Sequence, residues 1–200
     1  MKIAAFIFLG LFFVASCIHL VFCYQEKEKQ RAFTKPICLA LLGTSIAFFV
    51  PQYPLIYIGA YCGLAGDIFL LKKKEPLMFM AGGAFFVAGH ILYFIQIVQL
   101  FSFSIPFYAY LIMVGVMAIL TGILFKLIKS LVGNVALFGI PYLLLLLVML
   151  ALGVTLSATS NNHWPGLCIA IGYFLFFCSD CLLGFTNFKQ DIKRRDFYIM

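Results

Sequence analysis

Thirteen of the fourteen basic residues in this chain lie at alternate junctions between long apolar runs, and no other feature constrains the fold as much. A helix that crosses a bilayer needs about 20 mostly apolar residues. Runs of that kind occupy residues 3–24, 36–50, 54–71, 77–100, 107–125, 135–157 and 165–188; the second is short and is ended sharply by Pro51 and Pro54. Lys27, Lys29, Arg31 and Lys35 separate the first run from the second, and Lys72, Lys73 and Lys74 follow the third. Lys126 and Lys129 follow the fifth, and Lys189, Lys193, Arg194 and Arg195 follow the seventh. The other side keeps Lys2 alone. Missing or adding one helix would scramble this alternation. The positive-inside rule therefore predicts an all-α, polytopic transmembrane helical bundle of seven spans, with the N-terminus outside and the C-terminus cytoplasmic. Trp164, Tyr108, Tyr110 and Tyr53 fall at the predicted outer boundary, where an aromatic belt belongs.

Composition agrees. The chain is 64% hydrophobic and 10% charged, with a mean hydropathy of +1.10, whereas a globular domain is about 45–50% apolar and about 25% charged. A small sphere cannot hide so much apolar surface, because small domains bury only part of what their chains expose. A soluble enzyme, a nucleic-acid binder, a disordered linker and a secreted disulfide scaffold are all excluded. The net charge of +7 marks one face of a membrane and does not signal nucleic acid. Residues 1–200 read as a single integral-membrane domain. Val14-Ala15-Ser16-Cys17 resembles a lipoprotein cleavage box, but apolar sequence continues to Tyr24 and a plain first helix is the better reading. The seven cysteines all fall inside the runs, so they form no disulfide framework. Cys178-Ser179-Asp180-Cys181 is formally a C-x-x-C motif, but with no second pair its cysteines read as packing residues.

Five of the seven acids, Glu26, Glu28, Glu75, Asp191 and Asp196, sit among basic residues. Asp67 and Asp180 lie inside apolar runs. A carboxylate there costs roughly 2.5–3.5 kcal/mol on insertion scales and marks a functional site by default. Gly59, Gly63 and Asp67 share one helical stripe, which predicts a small-x-x-x-small packing face that turns Asp67 into the bundle. Ser179 adjoins Asp180 and can help to satisfy it. The fourth run places Gly83, His90 and Tyr93 on one face, with Gln96 at its edge. His19 reads as structural, without polar neighbours at helical spacing, and His163 as a loop residue. At 1.5 Å per residue, Asp67 lies about 7 Å, Asp180 about 13 Å and His90 about 20 Å inside the cytoplasmic edge. That depth matches the glycerol–chain junction of an inner-leaflet lipid, with Lys35 and Lys72–Lys74 nearer the headgroups. The strings Gly66-Asp67-Ile68-Phe69-Leu70 and Ser179-Asp180-Cys181-Leu182-Leu183 are alike and suit a parallel repeat of four helices plus four.

Thr34-Lys35-Pro36, Gly66-Asp67-Ile68-Phe69-Leu70-Leu71 before a basic loop, Gly82-Gly83-Ala84-Phe85-Phe86 running into Gly89-His90-Ile91-Leu92-Tyr93, and Phe176-Phe177-Cys178-Ser179-Asp180-Cys181-Leu182-Leu183 together give a resemblance. From about residue 34 to 188 the chain resembles the lysoplasmalogenase family of multi-pass membrane proteins (YhhN-like). The first helix and the fifth-to-sixth region match only in hydropathy. The resemblance implies eight helices, the last starting where this sequence stops.

It also implies hydrolysis of the vinyl-ether bond of lysoplasmalogens, giving a fatty aldehyde and a glycerophospho-ethanolamine or -choline. Vinyl ethers hydrolyse by protonation of the outer vinyl carbon to an oxocarbenium ion, which water captures. One carboxylic acid can deliver the proton while a second carboxylate stabilises the cation and activates water, as in glycoside hydrolases. Asp67 and Asp180 are the expected pair, with His90 and Tyr93 orienting water or the glycerol hydroxyl. Lys35, Ser179, Lys72, Lys73 and Lys74 are the expected substrate contacts, the lysines holding the phosphate. No metal and no cofactor are expected. The expected partners are a lysophospholipid substrate and the bilayer, with no nucleic acid, and a bacterial inner membrane suits the chain best. Two other readings use the same acids: a zinc hydrolase ligated by Asp67, His90 and Asp180, and a proton-coupled small-solute transporter or channel. A non-catalytic scaffold would explain the glycines but not the acids.

Overall fold

The computed structural model of the protein describes residues 2–71, 75–100, 122, 136–160 and 162–188. Within them lie six helices: α1 (Lys2–Tyr24), α2 (Glu28–Phe49), α3 (Pro54–Leu70), α4 (Pro76–Leu100), α5 (Ala136–Thr159) and α6 (His163–Phe188). No strand occurs among the described residues. All but α3 are long and apolar enough to cross a membrane. The 17 residues of α3 span about 26 Å. Large apolar side chains such as Phe6, Phe13, Val14, Leu77, Phe174 and Leu175 face outward. This is the surface of an integral membrane protein, in which lipid replaces water and no driving force hides apolar groups. The expected fifth run (107–125) apart from residue 122, the lysines at 72–74 and the basic tail lie outside the described residues.

The helices fall into two compact units, one holding α1–α4 and the other α5–α6. In the first, each helix packs antiparallel on the next. Ser45 donates to the Ala5 carbonyl (3.0 Å), Phe8 stacks on Phe48 and Phe6 meets Phe49 edge-on, which sets α1 against α2. The turn between them is closed by backbone bonds from Glu26 to the Cys23 carbonyl and from Lys27 to the Phe22 carbonyl. Glu26 takes φ 56° there, in the left-handed position that a Schellman motif requires.

On α2, Lys35, Leu39 and Gly43 recur every four residues, and on α3 they meet Asp67, Gly63 and Ala60 in turn. On the other flank of α3, Gly59 and Gly66 press against the Gly89 and Gly82 carbonyls of α4. These glycines let the backbones approach closely, which membrane helices use where the hydrophobic effect cannot join them. In the second unit, Gly153 of α5 meets Ala170 of α6 and Gly166 meets Ser157, again antiparallel.

Three local expectations need correction. The helix carrying Lys35 starts at Glu28, not at Pro36, and Pro36 lies inside it. Hydropathy reports where lipid begins, whereas Glu, Lys, Gln, Arg and Ala sustain a helix beyond it. His163 opens α6 rather than lying in a loop. The face of α4 that meets α3 carries Gly82, Phe86, Gly89 and Tyr93; a Cβ on Gly83 would meet nothing within 4 Å among the described residues.

Candidate active site

Asp67 lies three residues before the C-terminal end of α3, and only 5% of it is exposed. Lys35 reaches it from the second turn of α2, Nζ to Oδ1 2.8 Å, as the next rung of the ladder made by Gly43 on Ala60 and Leu39 on Gly63. Register therefore forms the pair: once the small residues of α3 accept α2, the lysine has one place to put its charge. A bare carboxylate at this depth costs several kcal/mol, and an ammonium in contact offsets much of that. One-third of the lysine side chain remains exposed. An ammonium has three donors, so Lys35 can hold Asp67 and still offer a donor to an anion. Next to Asp67, Gly66 carries the Phe86 ring so closely that a Cβ would lie 2.8 Å from it. That contact holds the end of α3 on α4.

Asp180 sits on α6 in the second unit, half-buried. The Tyr142 hydroxyl of α5 donates to its Oδ2. The antiparallel register that puts Gly153 on Ala170 and Gly166 on Ser157 carries through to this pair. Nothing in the chain as a string marks Tyr142; its signal is the pairing of α5 with α6, which only the register reveals. Ser179, the expected helper of Asp180, is half-buried beside it.

His90 and Tyr93 lie elsewhere on the first unit. His90 is buried, 6% exposed, with its ring centroid 6.2 Å from that of Tyr93. The Tyr93 ring lies on Gly59, where a Cβ would approach it to 2.7 Å. Because Gly66 faces Gly82 and Gly59 faces Gly89, His90 is offset from Asp67 by about 13 Å along the bundle. That equals the difference in depth expected from residue spacing. Gln96, at 5% exposure, lies a further turn and a half along α4. Lys72, Lys73 and Lys74 lie outside the described residues. Among the described residues, no three His, Cys, Asp or Glu side chains are grouped to hold a metal ion. All seven cysteines carry free thiols.

Apolar helices joined through glycine faces, with carboxylates inside them held by polar groups on neighbouring helices, define a polytopic helical membrane protein with intramembrane charged sites. The chain belongs to the YhhN family, whose profile matches residues 30–200. No curated protein and no solved structure matches it.

Proposed function

We propose that this YhhN-family protein is a membrane hydrolase that cleaves the vinyl-ether bond of lysoplasmalogens, with Asp67 and Asp180 as its acid–base carboxylates. The observation that carries the reading is the burial of Asp67 on an apolar helix in contact with Lys35. Insertion does not need such a group, and its cost is repaid only by function or by fixed structure. The proposed topology is the seven-span one, N-terminus outside, in a bacterial inner membrane.

In this reaction one carboxylic acid transfers its proton to the outer vinyl carbon, and the ether oxygen shares the resulting positive charge as an oxocarbenium ion. The other carboxylate stabilises that ion and takes a proton from the water that attacks it. The hemiacetal so formed collapses: the carbon–oxygen bond to glycerol breaks, the glycerol oxygen takes a proton, and a fatty aldehyde leaves. Lys35 adds a cation at the level where an inner-leaflet phosphate would lie, and Tyr142 orients Asp180.

The test is incubation of purified protein with a lysoplasmalogen and, separately, with its ester-linked counterpart, scoring aldehyde against fatty acid. Aldehyde from the first and no fatty acid from the second is expected. Asp67→Asn and Asp180→Asn should each lower aldehyde release by about 10²–10⁴-fold, the usual worth of a general acid or base, while the protein still inserts. Full activity in either variant would sink the two-carboxylate mechanism. Proton-coupled solute uptake into proteoliposomes, without product, would decide for a transporter that uses the same acids.

A further inference from the structure

The only fully buried histidine among the described residues is His19, on α1, at 0% exposure. Its Nδ1 lies 2.6 Å from the Thr34 hydroxyl of α2, and its Nε2 lies 3.4 Å from the Cys23 thiol one turn further along α1. Thr34 immediately precedes Lys35. We infer that His19 is a positioning residue, which acts through Thr34 to hold the Lys35 ammonium on Asp67. The inference rests on the reading of that pair as part of the active site.

The proton inventory supports a directed clamp. The Thr34 hydroxyl has one hydrogen, which we assign to the Gln30 carbonyl at 3.0 Å, nearer than the Arg31 carbonyl at 3.4 Å. The Thr34 oxygen therefore accepts, and His19 Nδ1–H donates to it. The other ring nitrogen of a neutral imidazole is then an acceptor, turned to the Cys23 S–H. The chain of donors runs from Cys23 through His19 and Thr34 to the backbone of α2, with each member satisfied.

Local structure explains why a clamp is needed there. Pro36 lies inside α2 and has no N–H to bond the Ala32 carbonyl. A threonine that bonds back to the carbonyl four residues earlier also loosens and bends a helix. The first two turns of α2, which carry Lys35, thus combine a lost backbone bond with a threonine back-bond. The hydrogen bond from His19 ties them to α1 at Thr34, the residue beside Lys35. The residue that holds the clamp, on α1, precedes the family-matched segment, which begins at residue 30.

Asparagine and glutamine separate this role from packing. An Asn amide nitrogen reproduces Nδ1 and can still donate to Thr34, whereas a Gln amide reproduces Nε2 and reaches toward Cys23. Both lose the same ring. The experiment is a thermal-unfolding cycle on the full chain in lipid–detergent micelles, comparing Lys35→Met, Asp67→Asn and the double variant. It is run in the wild-type, His19→Asn, His19→Gln and Thr34→Val backgrounds. The non-additivity between Lys35 and Asp67 should persist in His19→Asn and fall by half or more in His19→Gln and Thr34→Val. Equal coupling in all four backgrounds, or its loss in His19→Asn as fully as in His19→Gln, would overturn the inference. Thr34→Val keeps the side-chain shape, so it carries the test if His19→Gln does not fold. A parallel assay of aldehyde release should show His19→Gln lowering kcat/KM about tenfold alone and less than twofold in a Lys35→Ala chain. Absence of aldehyde from the wild type would fail the lysoplasmalogenase reading and leave the thermal result to decide the clamp.

Discussion

At the scale of single residues, the two intramembrane acids are held by different chemistry. Asp67 has a cation, Lys35, at 2.8 Å, and Asp180 has a neutral phenol, Tyr142. Both acids were legible in the sequence, because a carboxylate in an apolar run announces its own cost. Their partners were not equally legible. Lys35 stood out as a charge, but as one of a cluster whose simplest role is topology. Tyr142 is one tyrosine among ten and became visible only through its contact. Tyr142→Phe should lower kcat by about 10- to 100-fold with little change in KM, since a hydrogen bond to a charged group is worth about 1.5–3 kcal/mol and this one is made to a proposed acid–base carboxylate. Steady-state kinetics of the variant on lysoplasmalogen micelles would check it; an unchanged kcat would remove Tyr142 from the site.

At the scale of elements, the glycines decide which faces meet. Gly59, Gly63 and Asp67 were expected to share a face; Asp67 and Gly63 do lie against α2, but Gly59 lies on the flank that meets α4. The face of α4 was misread by one residue, Gly83 for Gly82, because both lie in a Gly-Gly pair and helical spacing alone cannot choose between neighbours 100° apart. The two kinds of glycine predict opposite outcomes. A Cβ on Gly66 would lie 2.8 Å from the Phe86 ring and 3.1 Å from the Gly82 carbonyl, so Gly66→Ala should destabilise, by about 1–3 kcal/mol as overpacking does. A Cβ on Gly63 meets its nearest atom, on Leu39, at 3.5 Å. Gly63→Ala should therefore be neutral or raise stability by up to about 1 kcal/mol, the helix-propensity gain. Thermal unfolding in micelles of the two variants side by side measures the contrast.

At the scale of the whole molecule, the two acid-bearing helices are built alike. In each unit a polar side chain near the start of one helix meets a carboxylate toward the end of the next, Lys35 with Asp67 on α2 and α3, and Tyr142 with Asp180 on α5 and α6. The proposed topology has its own check. A cysteine introduced in the 25–27 turn should react with a membrane-impermeant thiol reagent only from the cytoplasmic side, and one at 160–162 only from the outside. Labelling of both from the same side would exclude seven spans.

What the sequence determined by itself is the solvent, the helical class and the cost of two charges, because each follows from the free energy of transferring side chains and backbone from water to lipid and needs no knowledge of neighbours. Helix ends were read less well, since α2 continues through polar residues that hydropathy assigns to a loop. Only the tertiary structure decided which residue answers each acid and why His19 is buried. Those depend on interhelical register, and register is set by where a missing Cβ lets two backbones approach, a property of pairs of helices that no single stretch of chain contains.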